Sequence, residues 1–140
     1  MARRSRAREV ALQVLFQDDL NLRINPHETD VFLQTRLGKP ELIEFSRSLV
    51  AGVRRNRPEL DTLLDKTADN WSLKRMAATD RNILRLGAFE ILFSETPGRV
   101  AINEAVELAK RFGSGHSAQF VNGILDRFLA GHREQTGSSS

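Results

Sequence analysis

The sequence predicts an all-α protein, a single compact domain of about seven helices arranged around one buried central helix. Three observations predict it. Apolar residues recur at three- and four-residue spacing along most of the chain, the period of a helix with one buried face. No stretch alternates apolar and polar residues as a half-buried strand would. Prolines and glycines fall between the periodic segments, where helices start and stop.

Taken in order, Ala7, Ala11, Val14 and Leu15 form a first stripe, widened by Val10, Leu12 and Phe16, so a helix runs from within the basic start to about Leu20. Asn25-Pro26-His27-Glu28 opens the second helix. It supplies a side-chain cap, a proline where no N–H donor is needed, and an acid three residues after the cap. Gly38 closes that helix. Pro40 opens a third with Leu42, Ile43, Phe45, Leu49, Val50 and Val53, and Pro58 opens a fourth with Leu60, Leu63 and Leu64. From Thr79 to Glu95 apolar residues surround the axis, with Arg85 and Glu90 as the charges in the middle, which marks the central helix. Thr96-Pro97-Gly98 turns the chain. Ala101, Ala105, Leu108, Ala109 and Phe112 make the next stripe, and Gly113 ends it at the C′ position that glycine's left-handed backbone favours. Ser114 to Ser117 is a polar link with Ser117 as candidate cap. The last helix carries Phe120, Val121, Ile124, Leu125, Phe128 and Leu129. The domain therefore spans residues 1–131, with an arginine-rich arm at 1–8, and residues 132–140 form a flexible tail.

Composition narrows the function. In 140 residues there is no cysteine, which excludes disulfides and thiolate metal sites. No apolar run approaches the ~20 residues that span a bilayer, and the start lacks the apolar core of a secretory signal, so a soluble cytoplasmic protein is expected. Charge is unevenly placed. Arg3, Arg4, Arg6 and Arg8 stand in the first eight residues with no acid; without these four, the 21 basic residues fall to 17 against 18 acidic ones. The positive excess is thus concentrated in the arm, and arginine is the side chain whose planar fork suits phosphate. Terminal charge runs are often idle and solvated. Against that, Arg4 and Arg8 would share one face of a continuing first helix, and no acid precedes Glu9. A nucleic-acid partner fits best.

Catalytic chemistry is hard to find. There is no phosphate-cradling glycine loop and no nucleophile elbow. His27, His116 and His132 lie far apart, with no second ligand at metal spacing, so no metal and no cofactor is expected. Glu104 and Glu107 stand three apart, but pairing with Lys110 and Arg111 explains them. Arg54-Arg55-Asn56-Arg57 reads as a helix C-terminus favoured by the helix dipole, with RNA contact as the rival reading.

Several separated stretches, in order, resemble the NusB-type transcription antitermination factors. They are Arg6-Ala7-Arg8-Glu9 with Ala11 and Gln13; Leu49 to Val53; Asp80 to Leu86; Val100-Ala101-Ile102-Asn103-Glu104-Ala105-Val106-Glu107-Leu108-Ala109-Lys110; and Phe120-Val121-Asn122-Gly123-Ile124-Leu125-Asp126. The resemblance implies two packed helical bundles and no enzymatic activity. It implies binding of a boxA-type single-stranded element of ribosomal RNA transcripts, together with the ribosomal protein NusE, within the RNA polymerase elongation complex. It places Arg4, Arg6 and Arg8, with Arg3 beside them, on the RNA. Phe112, His116 and Phe120 line the RNA face, with Phe120 either stacking on a base or packing beside Ile124. Relatives include monomers and homodimers. Asn103 and Glu104 are read as organising the start of their helix. Two rival readings are a module like the N-terminal domain of ribosomal RNA cytosine methyltransferases, and a helical scaffold that binds protein only.

Overall fold

The computed structural model describes the backbone of residues 3–21 and 25–139, and side chains at 4–20 and 25–132. The side chain of Arg3 and those of the expected tail from 133 onward lie outside the described residues. Among the described residues there are six α-helices, one 3-10 turn and no strand. In chain order these are α1 (Arg3–Asn21), α2 (Pro26–Leu37), α3 (Pro40–Ala68), the 3-10 turn (Leu73–Arg75), α4 (Ala78–Phe93), α5 (Gly98–Phe112) and α6 (Ser117–Ser139). The all-α class is as expected, and the count is six rather than seven because Pro58 does not start a helix.

Pro58 lies inside α3. A proline at an interior position removes the bond to the carbonyl four residues earlier and ordinarily kinks or stops a helix. Here the buried positions keep helical spacing through it, from Leu49 and Val53 to Leu60, Leu64 and Ala68. Fully burying a leucine is worth roughly 1.5–3 kcal/mol, so several such residues outweigh one missing backbone bond.

The chain divides into two units, Met1–Arg55 and Asn56–Ser140. In the first, α1 buries Ala7, Val10, Ala11, Leu12, Val14 and Leu15, the stripe its period predicts. The α1 helix packs on α2, which buries Leu33 and begins as the sequence suggests, with the Asn25 side chain accepting from the Glu28 N–H at 2.9 Å. Gly38 ends α2 at φ 75, a backbone that a side chain would strain. The early part of α3 buries Leu42, Leu49, Val50 and Val53 and is tied to α1 and α2 by polar groups. The buried Ser46 hydroxyl donates to the Ala7 carbonyl at 3.0 Å. Arg54 grips Asp18 with two bonds, at 2.8 and 2.9 Å. Arg47 pairs with Asp30 at 2.8 Å and with Glu44, and the Asp30 hydrogen bond holds its guanidinium pKa above the ordinary value.

In the second unit α4 is buried at ten successive positions, Asn82 through Ile91. It packs against both α5 and α6, which also pack on each other. Gly87 allows the close approach: a Cβ there would lie 2.7 Å from Leu125 Cδ1. Two charges sit within this buried run, and both are answered. Arg85 donates twice to Asp61 and once to the Asn82 side chain, while Glu90 accepts from the Thr96 hydroxyl at 3.0 Å.

Candidate nucleic-acid interface

The first helix begins within the basic start, as its spacing predicts, and is formed from Arg3 onward. Helical winding puts residues four apart on one face, and Phe45 on α3 meets that face. The guanidinium carbons of Arg4 and Arg8 lie 4.5 and 5.1 Å from the Phe45 ring centre, within the distance at which a ring's negative face attracts a cation. The two arginines then differ. Arg4 is exposed, whereas Arg8 is only 4% exposed. Arg6 points to the other side and pairs with Glu9 at 3.1 Å. The expectation that the start of the chain is not self-neutralised is therefore corrected at Arg6. The Arg6 side chain remains 48% exposed while Glu9 is 14% exposed, so the guanidinium stays accessible to solvent even when paired.

The Arg54–Arg57 cluster is not at a helix end, since α3 continues to Ala68. Arg54 is committed to Asp18, and Arg57 lies 3.9 Å from Asp61. Internal ion pairs therefore account for these two charges, in place of the helix dipole.

The aromatic candidates all belong to the second unit. Phe112, at the end of α5, is 37% exposed, with the Arg111 guanidinium 5.7 Å from its ring centre. His116 is exposed in the link, and its carbonyl accepts the Phe120 N–H at 3.1 Å, so it stands one helical turn before Phe120. Phe120 is half-buried, unlike Ile124 beside it, which belongs to the core. The Phe120 ring meets Trp71 edge-on, with centres 5.5 Å apart and planes at 81°.

Trp71 is the residue that sequence reasoning missed. It lies between α3 and the 3-10 turn, off every periodic stripe, and 57% of it is exposed. Its only signal in the sequence is a large aromatic in a polar stretch between two helices, Asn70-Trp71-Ser72.

The link before α6 is built differently from the expectation. Gly113 has φ −92, not a left-handed backbone; it is needed for room, since a Cβ would lie 2.5 Å from Ser117 Cβ and 2.8 Å from the Ala109 carbonyl. Ser117 accepts from the Ser114 N–H at 2.9 Å, holding the link closed behind the helix. Asn103 and Glu104 do not organise a helix start, because α5 begins at Gly98 and runs past them. Glu107 pairs with Lys110 at 3.2 Å. Among the described residues no group of acids and histidines is placed to hold a metal, and no helix is long and apolar enough to cross a membrane.

Comparison with known proteins gives a consistent result. A model of the NusB family matches residues 5–130. Transcription antitermination protein NusB of Desulfatibacillum aliphaticivorans is 43% identical over 127 residues, covering 90% of this chain and 89% of its own. The structure of T. maritima NusB superposes with a TM-score of 0.84 at 35% identity, covering 91% of this chain and 90% of that one. A chain from the crystal structure of antitermination factors NusB and NusE in complex with dsRNA superposes with a TM-score of 0.82 at 28% identity, covering 94% and 98%.

Proposed function

Because the chain belongs to the NusB family, we propose that it is a transcription antitermination factor that binds RNA together with NusE. Its RNA is a boxA-type single-stranded element of ribosomal RNA transcripts, which it tethers to the RNA polymerase elongation complex. The observation that carries this reading is the likeness, over 94% of the chain, to a protein from an assembly of NusB, NusE and RNA. The protein works by binding alone, in the cytoplasm, where transcription proceeds.

The residue roles follow from their surroundings. Arg4 and Arg6, with Arg3, meet phosphates and supply affinity that falls with salt. Arg8, buried against Phe45, positions that end of α1 rather than touching RNA. Phe120 offers a ring face to an unpaired base, and His116 and Phe112 line its approaches. Sequence choice comes from this aromatic side and from the protein partner, since phosphate contacts carry no base information.

The test is binding of labelled boxA-type RNA and a scrambled RNA, with and without NusE. Tighter, sequence-dependent binding in the presence of NusE is expected, with a loss when Arg4 and Arg6 become alanine. Binding of NusE with no binding of either RNA would make the chain a protein-only scaffold and end the proposal.

A further inference from the structure

The geometry points to Trp71 as a second base-stacking residue, forming with Phe120 an aromatic corner that receives one unpaired nucleobase of single-stranded RNA; this rests on the reading of the chain as an RNA-binding factor. Rings at 81° make a corner, not a stack. A base lying flat on one ring presents its edge to the other, so each aromatic is met in its favoured geometry. A single base fits such a corner, whereas two parallel rings would clamp it from both faces.

The backbone that carries the ring is held in place. The main-chain N–H of Trp71 donates to the Ala68 carbonyl at 3.2 Å, just where α3 ends. The segment after it is fastened from both sides: Asp65 accepts the Leu73 N–H at 2.9 Å, and Arg81 donates to the Leu73 and Met76 carbonyls at 3.1 and 3.0 Å. A residue held in place before binding loses little freedom when it binds.

Charge favours RNA over a protein partner as the occupant. Lys74 and Arg75 stand three and four residues after Trp71, and both are exposed. Asp69 is the one acid between residues 69 and 75. An aromatic face beside exposed cations is what a single strand needs: stacking for the base and positive charge for the backbone.

The chain has one tryptophan and no tyrosine, so its tryptophan emission reports on Trp71 alone. Titrating the full chain with single-stranded boxA-type RNA should quench that emission as the RNA binds. In parallel, anisotropy of labelled RNA should show Trp71→Ala weakened about 5- to 150-fold, the range set by loss of one stacked base. Trp71→Phe, which keeps a ring, should bind within a few-fold of the native chain. If labelled RNA binds normally, emission stays constant and Trp71→Ala binds as well as the native chain, this inference is overturned while the RNA-binding reading stands. If Trp71→Ala keeps RNA and loses NusE, the corner is a protein anchor and the inference is equally overturned. If the native chain binds no RNA, both readings fall. Should Trp71→Ala melt early, quenching in the native chain decides alone.

Discussion

Arg85 on α4 reaches Asp61 on α3 with two hydrogen bonds, Nε to Oδ1 at 2.7 Å and Nη2 to Oδ2 at 2.9 Å, from a side chain that is nearly wholly buried. The pair joins the most buried helix of the second unit to the helix that carries Pro58. Removing one partner strands the other's charge away from water, which is the costly way to break such a pair. Asp61→Ala should therefore lower stability by about 3–5 kcal/mol in urea unfolding. Replacing both residues together, Asp61→Leu with Arg85→Met, should cost much less. Equal losses from the single and double changes would show that the pair does not behave as a unit.

Arg4 and Arg8 face the same ring but should respond differently to removal. Arg8 is packed under Phe45, so Arg8→Ala removes a buried stem and a desolvated cation–π contact worth about 2 kcal/mol. Arg4 is exposed, and Arg4→Ala should leave the melting temperature nearly unchanged while weakening RNA binding. Thermal melts and RNA titrations on the two variants separate these roles. A loss of stability at Arg4 as large as that at Arg8 would contradict them.

Salt dependence counts the phosphates. If four arginines at the start of the chain each met one on a single strand, log affinity would fall against log salt with a slope of about −3. With Arg8 buried, the slope from this region should be nearer −2, and Arg4→Ala with Arg6→Ala should flatten it by about 1.4. A double variant with the native slope would place the phosphate contacts elsewhere.

Gly113 should resist any side chain. The added Cβ meets Ser117 Cβ and a backbone carbonyl, neither of which can swing aside. Gly113→Ala should destabilise by about 1–3 kcal/mol, as overpacking does. Gly115, with open space around its position, is the internal control, where alanine should cost little.

Pro58→Ala should do the reverse. It restores an N–H to the helix interior, opposite the Arg54 carbonyl, at an exposed position. Helix propensity favours alanine by about 3 kcal/mol, and the freer unfolded chain returns up to ~1 kcal/mol of that. A rise in melting temperature is expected, and a fall would show that the proline is held in α3 by more than burial around it.

What could be read from the chain divides by the range of the cause. The stripes of α1, α4, α5 and α6 were legible because burial on a helix is periodic, so Ala7, Ile83, Ala105 and Ile124 announce themselves. Pro58 misled because its local rule is sound, and it is overruled by packing that a linear pattern does not display. The Arg6–Glu9 pair spans one helical turn and was within reach of inspection. The separate fates of Arg4 and Arg8 were not, since both depend on Phe45, some forty residues along the chain. Gly113 marks a helix stop in the sequence without showing why, because left-handed backbone and lack of space leave the same mark there. Trp71 belongs to no stripe and lies between elements, and its meaning arises only beside Phe120 of α6.

The pairing of Arg6 with Glu9 means that this part of α1 carries its own competitor. A phosphate arriving at Arg6 would meet a guanidinium already paired with a carboxylate, so its first contact there would be an exchange with little gain in energy. On the proposed reading, a lone anion would gain little at Arg6, while a strand bringing several phosphates to the start of α1 would compete better with the resident acid.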